Sequence, residues 1–316
     1  MSVVTPPTTT GEHGSSGASA AHRAAAKRRR RRTTLIGWSF ILPNFLGFAA
    51  LTLVPVLGAL AISFTHWDSY SAPKWAGLDN FQRLWNDSNF WAALQNTFYY
   101  AAGHIPLTLV VSLGLAVLLN QKLRGVRVLR TAFFFPYITS LVAVAVVWNM
   151  LLSPESGPVN QFLNFIGIDN PPGWTSDQDW AMPALILASV WRDMGYYMVL
   201  FLAGLQTIPA ELYEAARMDG AGPWQRFWHV TLPGLRPTTF FVTVMITVSS
   251  FKVFDLVQVM TEGGPGRSTL VLSQLIFREG ITQGRFGYAS AVSLALFLIC
   301  LVITVIQFQM QRRSER

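Results

Sequence analysis

Six charge-poor apolar runs, at about 35–64, 97–119, 132–152, 182–206, 238–260 and 287–309, constrain this 316-residue chain more than any other feature. About 20 predominantly apolar residues in helical form cross the hydrocarbon core of a bilayer. Backbone inside that core must satisfy its own hydrogen bonds, so runs of this length are expected as helices. The expected fold class is therefore an all-α membrane protein with six transmembrane helices. Composition agrees, since only 13% of residues are charged where a soluble domain carries about 25%. Residues 1–33 stand apart from the transmembrane domain at 34–316. They form a Ser-, Thr-, Gly- and Ala-rich stretch closed by Lys27–Arg32, and are expected as a disordered basic tail. The apolar run after it far exceeds the roughly 7–15 residues of a signal-peptide core, which argues for an anchored first span.

The lysines and arginines test the topology. With both termini inside, the inner segments hold Arg23, Lys27 to Arg32, Lys122, Arg124, Arg127, Arg130, Arg217, Arg226, Arg236, Arg312, Arg313 and Arg316. The outer loops hold Lys74, Arg83, Arg267, Arg278 and Arg285. That bias is the positive-inside pattern and puts the loop at 208–237 in the cytoplasm. The net charge of +8 is thus a topology signal, and nucleic acid is not expected as a partner. Trp67, Trp85, Trp91, Trp174 and Trp180 sit near outer span ends, as interfacial rings do.

Several kinds of chemistry are excluded. One cysteine, Cys300, permits no intramolecular disulfide, and His13, His22, His66, His104 and His229 are too scattered for a metal cluster. There is no phosphate loop, no dinucleotide turn and no nucleophile with a base at a defensible spacing. No enzyme activity, catalytic residue, metal or bound cofactor is expected of this chain.

Two charged pairs persist inside the spans: Arg192 with Asp193, and Lys252 with Asp255. Each charge costs roughly 2.5–3.5 kcal/mol at mid-helix on insertion scales. Lys252 and Asp255 stand at i, i+3 and can neutralise each other. Arg192 and Asp193 are neighbours expected to point apart. Either these groups face a polar pathway or a partner subunit, or they pair structurally near an interface. Tyr196, Ser189, Ser249 and Ser250 add hydroxyls that suit a polyhydroxylated solute and equally serve helix packing.

The stretch Glu211 to Pro237 interrupts the apolar runs with the punctuation of a helical hairpin. Pro209 precedes it, Glu211 and Glu214 fall near the positive end of a helix, and Asp219-Gly220 supplies a left-handed stop. Gly222-Pro223 restarts a second helix, which Pro233 is expected to end. A short helix of this kind between spans is a handle for something outside the membrane.

Glu214-Ala215-Ala216, three residues, Gly220, nine residues, Val230, one residue and Leu232-Pro233 resemble the EAA loop of binding-protein-dependent ABC importer permeases. Val230 stands where an isoleucine is usual. Gly77-Leu78-Asp79-Asn80-Phe81, Phe135-Pro136-Tyr137, Thr261-Glu262-Gly263-Gly264-Pro265 and Gly287-Tyr288-Ala289-Ser290-Ala291 are similar to the carbohydrate-uptake branch, which includes the maltose, multiple-sugar and glycerol-3-phosphate permeases. The likeness covers about residues 35–312. It implies a multi-pass permease of the bacterial cytoplasmic membrane that imports a sugar or sugar derivative by alternating access. The implied partners are a second homologous permease, an ATP-binding-cassette ATPase dimer, which would hold the ATP and Mg, an extracytoplasmic solute-binding protein, the sugar and membrane lipid. Glu214, Ala215, Ala216, Asp219, Gly220, Leu232 and Pro233 are the implied ATPase-coupling residues. Gapless counting against the larger maltose permease implies a substrate pathway at Ser189, Arg192, Asp193, Tyr196, Ser250 and Val253, flanked by Lys252 and Asp255. Arg192 and Asp193 depart from that permease's apolar and glycine residues, so the likeness implies the placement and not maltose. A gradient-driven secondary transporter with an ion relay, or a non-transporting anchor, would leave the EAA spacing unexplained.

Overall fold

The computed structural model describes residue 34, residues 37–121 and residues 124–314. The tail with its basic run Lys27–Arg32, and Lys122 and Arg316 of the charge pattern, lie outside the described residues. The chain divides into two units, one ending at Ala59 and one running from Leu60 to Arg316. The first holds most of α1 (Gly37–Ile62), an apolar helix with a π-helical turn at Ala49–Leu53. Pro55, just beyond that turn, has no N–H to offer the preceding turn of helix, and the chain widens where the ladder is interrupted.

The second unit opens with a minimal hairpin, β1 (Thr65–His66) and β2 (Lys74–Trp75), paired antiparallel with Thr65 opposite Trp75. Short α2 (Asp79–Asn86) and long α3 (Ser88–Leu119) follow. Asp87 ends one and caps the other, its carboxylate accepting from the Asn89 N–H at 2.8 Å. α3 begins nine residues before the apolar run read from the sequence. Its inner stripe is Ala93, Thr97, Ala101, His104, Thr108, Ser112 and Ala116, all buried, at spacings of three and four. Small and hydroxylated residues let helices approach closely where lipid supplies no hydrophobic drive between them.

That stripe packs on α7 (Ala181–Thr207), the most buried of the long helices, which also receives α4 (Val126–Ile138) and α10 (Arg236–Phe251). Two glycines set the approach. A Cβ at Gly195 would overlap the Phe133 carbonyl oxygen of α4, and one at Gly204 would run into the Thr238 side chain of α10.

Two of the apolar runs are not continuous helices. The run at 132–152 is α4 and α5 (Leu141–Leu151), which meet at a bend of 99°. Pro136 sits in the last turn of α4 rather than opening the span, and Thr139 is extended at φ −72°, ψ 151° with its hydroxyl donating to the Phe135 carbonyl at 2.9 Å. A proline that cannot donate and a hydroxyl that competes for a backbone acceptor together end the helix. The run at 238–260 divides into α10 and α11 (Asp255–Met260), with Lys252 to Phe254 between them. Ser249 and Ser250 both donate to the Ile246 carbonyl there, at 2.9 and 2.7 Å. Among the described residues four helices are long and apolar enough to cross a membrane: α1, α3, α7 and the last helix α13 (Phe286–Ser314). The bent pair makes a fifth if it is one span.

The remaining elements are α6 (Pro158–Phe165), a hairpin described below as α8 and α9, and α12 (Leu272–Phe277), which runs on through a π-turn at Arg278–Thr282. Three apolar clusters hold the second unit together, around Met182 and Val257, around Phe251 and Tyr288, and around Phe201 and Ile246.

Candidate functional site

α7 is the element that places the intramembrane charges. Arg192 and Asp193 do not point apart: the Arg192 Nη1 donates to Asp193 Oδ1 at 2.7 Å. The flexible aliphatic stem of the arginine lets its planar guanidinium reach the neighbouring carboxylate, which the direction of the Cα–Cβ bonds alone did not anticipate. The other carboxylate oxygen faces His104 of α3, with Nε2 3.4 Å from Oδ2. His104 is 1% exposed, and its Nδ1 lies 2.9 Å from the Ser250 Oγ of α10. The Ser250 hydroxyl already donates to the Ile246 carbonyl, so it accepts from the His104 Nδ1–H. His104 thus ties α3 to α10 through Ser250 beside the point where α10 stops, while its Nε2 faces Asp193 of α7 without a hydrogen-bond partner among the described residues.

A stacked aromatic pair lines the same region. Tyr196 of α7 and Tyr137 of α4 lie 4.4 Å apart between centroids with ring planes 12° apart. The Arg192 guanidinium sits 5.1 Å over the Tyr137 ring, and Tyr197 reaches Ser249 at 3.3 Å between hydroxyls. Ser189 is buried and donates to the Leu185 carbonyl at 2.7 Å, so its proton is already spent within α7. Val253 is half-buried in the break after α10, and Lys252 and Asp255 are exposed there. No ion pair joins Lys252 to Asp255 among the described residues. The i, i+3 pairing expected for them needs one continuous helix, and the helix ends at Lys252. Asp255 instead opens α11, where a negative charge meets the positive end of the helix.

Ser189, Arg192, Asp193, Tyr196 and Ser250 therefore gather on one side of α7, with Lys252, Val253 and Asp255 at the helix break. The sequence reading missed His104 and Tyr137 as members. Both carried a signal: His104 falls in the small, polar stripe of α3, and Tyr137 closes the Phe-Pro-Tyr motif. Ring faces beside charged and hydroxylated edges can stack on and hydrogen-bond to a polar solute. No group of side chains able to hold a metal occurs among the described residues.

The second candidate surface is the hairpin. α8 (Ala210–Met218) follows extended Pro209, and Gly220 takes φ +75°, the left-handed position that a glycine adopts without a Cβ penalty. α9 covers residues 223–234 as Pro223–Arg226, a π-turn at Phe227–Thr231 and Leu232–Gly234. Pro233 does not end it. The helix runs on to Gly234 past the π-turn, and the break comes at Leu235, before α10. Tyr213 turns inward to Thr231 at 3.1 Å between hydroxyls and ties the two helices together. Glu211, Leu212, Glu214, Ala215 and Met218 are exposed, Met218 to 89%. Leu212 and Ala215 thus share an outward face, Ala216 is half-buried, and Leu232 and Pro233 are half-buried on α9.

Two of the remaining motifs, at 77–81 and 287–291, build one corner of the second unit. The buried Asn80 amide donates to the Ser63 and Thr65 carbonyls at 2.9 and 2.8 Å. Gly287 lies so close to the Thr65 carbonyl that a Cβ would overlap it. Tyr288 donates to Asp87 Oδ2 at 2.6 Å, Arg83 sits 4.1 Å over the Tyr288 ring, and buried Glu279 accepts from Arg83 and Arg285 at 3.2 and 3.0 Å. On the adjoining loop the Ser71 N–H and hydroxyl hold the Asp68 carboxyl below its ordinary value.

Residues 108–316 match the family described as binding-protein-dependent transport system inner membrane component. The chain is 40% identical over 279 residues to the probable ABC transporter permease protein YesP of Bacillus subtilis, covering 87% of this chain and 90% of that one. It is 38% identical over 284 residues to the lactose transport system permease protein LacF of Rhizobium radiobacter, covering 88% and 95%. A crystal structure of a bacterial ABC transporter that imports the acidic polysaccharide alginate contains a chain with the same fold. Its TM-score is 0.80 at 26% identity, over 92% of this chain and all of that one.

Proposed function

This chain belongs to the family of binding-protein-dependent transport system inner membrane components, and from that premise we propose that it is one permease subunit of an ABC importer for a sugar or sugar derivative. It is a multi-pass transport component of the cytoplasmic membrane, and the chemistry of ATP belongs to another subunit. The polar cluster around Asp193, Tyr196 and Tyr137 lines the solute's route, and α8 couples that route to the ATPase.

The observation that carries the reading is the pairing of an outward-facing α8, with exposed Glu214, Ala215 and Met218, and a polar cluster inside the helices to which it connects. α8 follows α7 across only Ile208 and Pro209, so displacement of α8 moves the element bearing Arg192, Asp193 and Tyr196. Six spans with both termini in the cytoplasm account for the charge pattern: α1, α3, α4 with α5, α7, α10 with α11, and α13. At 1.5 Å per residue α10 reaches only about 24 Å, short of the roughly 30 Å core, so α11 completes the fifth crossing. The break between them is tolerated because irregular backbone at that depth faces protein or a polar route.

The partners in this reading are a second homologous permease, an ATPase dimer carrying ATP and Mg, and an extracytoplasmic binding protein that delivers the solute. The test is solute uptake by vesicles containing the full assembly. Uptake that follows ATP hydrolysis, stops with vanadate and survives an uncoupler supports the proposal. Uptake that ignores vanadate and collapses with the uncoupler would replace it with a gradient-driven transporter.

A further inference from the structure

Where α3 and α7 end against the hairpin there is a pocket of about 290 Å³ that the transport role does not use. Its polar lining is Asn120, Gln121, Tyr213, Arg226 and Thr231. Arg226 supplies the positive charge. It is half-buried, its Nε is out of solvent without a hydrogen-bond partner, and it joins no ion pair among the described residues. The nearby acids of α8, Glu211 and Glu214, are exposed on that helix and likewise join no ion pair among the described residues. A guanidinium N–H withdrawn from water without an acceptor costs free energy that an anion's oxygen would recover. Its planar fork matches the oxygens of a phosphate, and the amides and hydroxyls around it supply further hydrogen bonds.

The surroundings suit a phosphate carried by a lipid. Phe227 lines the pocket and stacks with Trp224 at 6.0 Å, while Trp228 meets both rings; Trp224 is 71% exposed and Trp228 48%. Exposed indoles beside an arginine are the pattern of a membrane surface, where amphipathic rings lie at headgroup depth. Arg130 brings a second guanidinium to the end of α3, its Nη2 donating at 2.7 Å to the carbonyl of Leu119, the residue before Asn120. The π-turn at Phe227–Thr231 begins directly after Arg226, and such turns recur at binding sites.

We propose that this pocket binds a phosphate group, presented by the headgroup of an anionic membrane lipid, and that the occupant bridges the two helices of the coupling hairpin. The proposal rests on the permease reading for the side of the membrane on which the hairpin lies. Tyr213 and Thr231, already bonded to each other across the hairpin, both line the site, so an occupant stiffens the lever through which ATP-driven motion passes.

The experiment is native mass spectrometry of the full-length protein with phosphatidylglycerol, followed by competition with inorganic phosphate and glycerol phosphate. One phosphatidylglycerol bound per chain is expected, weakened roughly tenfold, about 1.4 kcal/mol, in Arg226→Gln. Arg226→Lys keeps the charge and falls between, and Arg312→Gln leaves retention unchanged. Thermal stability of each variant separates lost binding from lost folding. Displacement of the lipid by millimolar glycerol phosphate would overturn the lipid source in favour of a soluble phosphate. Equal retention by wild type and Arg226→Gln, with Arg226→Lys also unchanged, would overturn the site. Because lipid retention is read without uptake, its failure is distinct from failure of the permease reading.

Discussion

His104 Nε2 of α3 and Asp193 Oδ2 of α7 face each other at 3.4 Å, while Arg192 holds the second carboxylate oxygen at 2.7 Å. Asp193 is thus held by Arg192 on one side and faced by the His104 ring on the other. Asp193→Asn leaves Arg192 four-fifths buried and unpaired, a loss of about 3 kcal/mol. The melting temperature of the purified protein should fall by several degrees. The double variant Arg192→Gln/Asp193→Asn should recover most of it, and a double variant no more stable than Asp193→Asn would exclude the pair as the cause.

The Tyr196–Tyr137 stack makes a separable prediction about the solute. Tyr196→Phe keeps the ring and Tyr196→Ala removes it. An aromatic contact of about 0.5–1.5 kcal/mol corresponds to roughly two- to tenfold in KM. Uptake kinetics should show KM raised in the alanine variant and near wild type in the phenylalanine variant. Wild-type KM in both variants would remove Tyr196 from the pathway.

Gly195 is a packing prediction. Its Cβ would overlap the Phe133 carbonyl, whereas a Cβ at Gly114 meets nothing within 4 Å. Gly195→Ala should therefore destabilise by about 1–3 kcal/mol as α4 is pushed from α7, and Gly114→Ala should not. Thermal unfolding of the two proteins side by side decides it.

Gly220 tests coupling without testing packing. Its φ of +75° disfavours any other residue, but no atom lies within 4 Å of an added Cβ. Gly220→Trp should fold, since the left-handed cost is about 1–2 kcal/mol, yet place an indole on the surface proposed to dock. ATP hydrolysis in the assembly should continue while uptake is lost. Wild-type uptake in this variant would count against the docking role.

Tyr288→Phe removes the 2.6 Å hydrogen bond to Asp87 but keeps the ring under Arg83. Hydrogen bonds to charged groups contribute about 1.5–3 kcal/mol. Because Asp87 still caps α3, the loss should appear as a lower melting temperature with the helix content unchanged by circular dichroism.

Much of the candidate site was legible because charge inside an apolar run is conspicuous: Arg192, Asp193, Lys252 and Asp255 announce themselves by what surrounds them. His104 did not. A lone histidine in a long helix is indistinguishable from a packed one until α7 and α10 are brought beside it. Lys252 and Asp255 failed as a pair for a related reason. Their spacing implies contact only if the helix continues, and serine hydroxyls bonding back to Ile246 help to stop it first. Pro233 misled in the opposite direction, since a proline ends a helix only where its missing N–H was needed.

By itself the sequence determined what depends on composition along the chain: long apolar helices, the outward charge-rich hairpin, the left-handed turn at Gly220 and the family. These follow from local propensity and from the cost of charge in lipid, which neighbouring residues set. The tertiary structure decided which face of α3 is buried and that Asp193 faces His104. It also decided that Arg226, in no ion pair among the described residues, lines a pocket formed by α3, α7, α8 and α9. Those outcomes depend on contacts between residues tens of positions or more apart, and pairwise distance is a quantity no periodicity encodes.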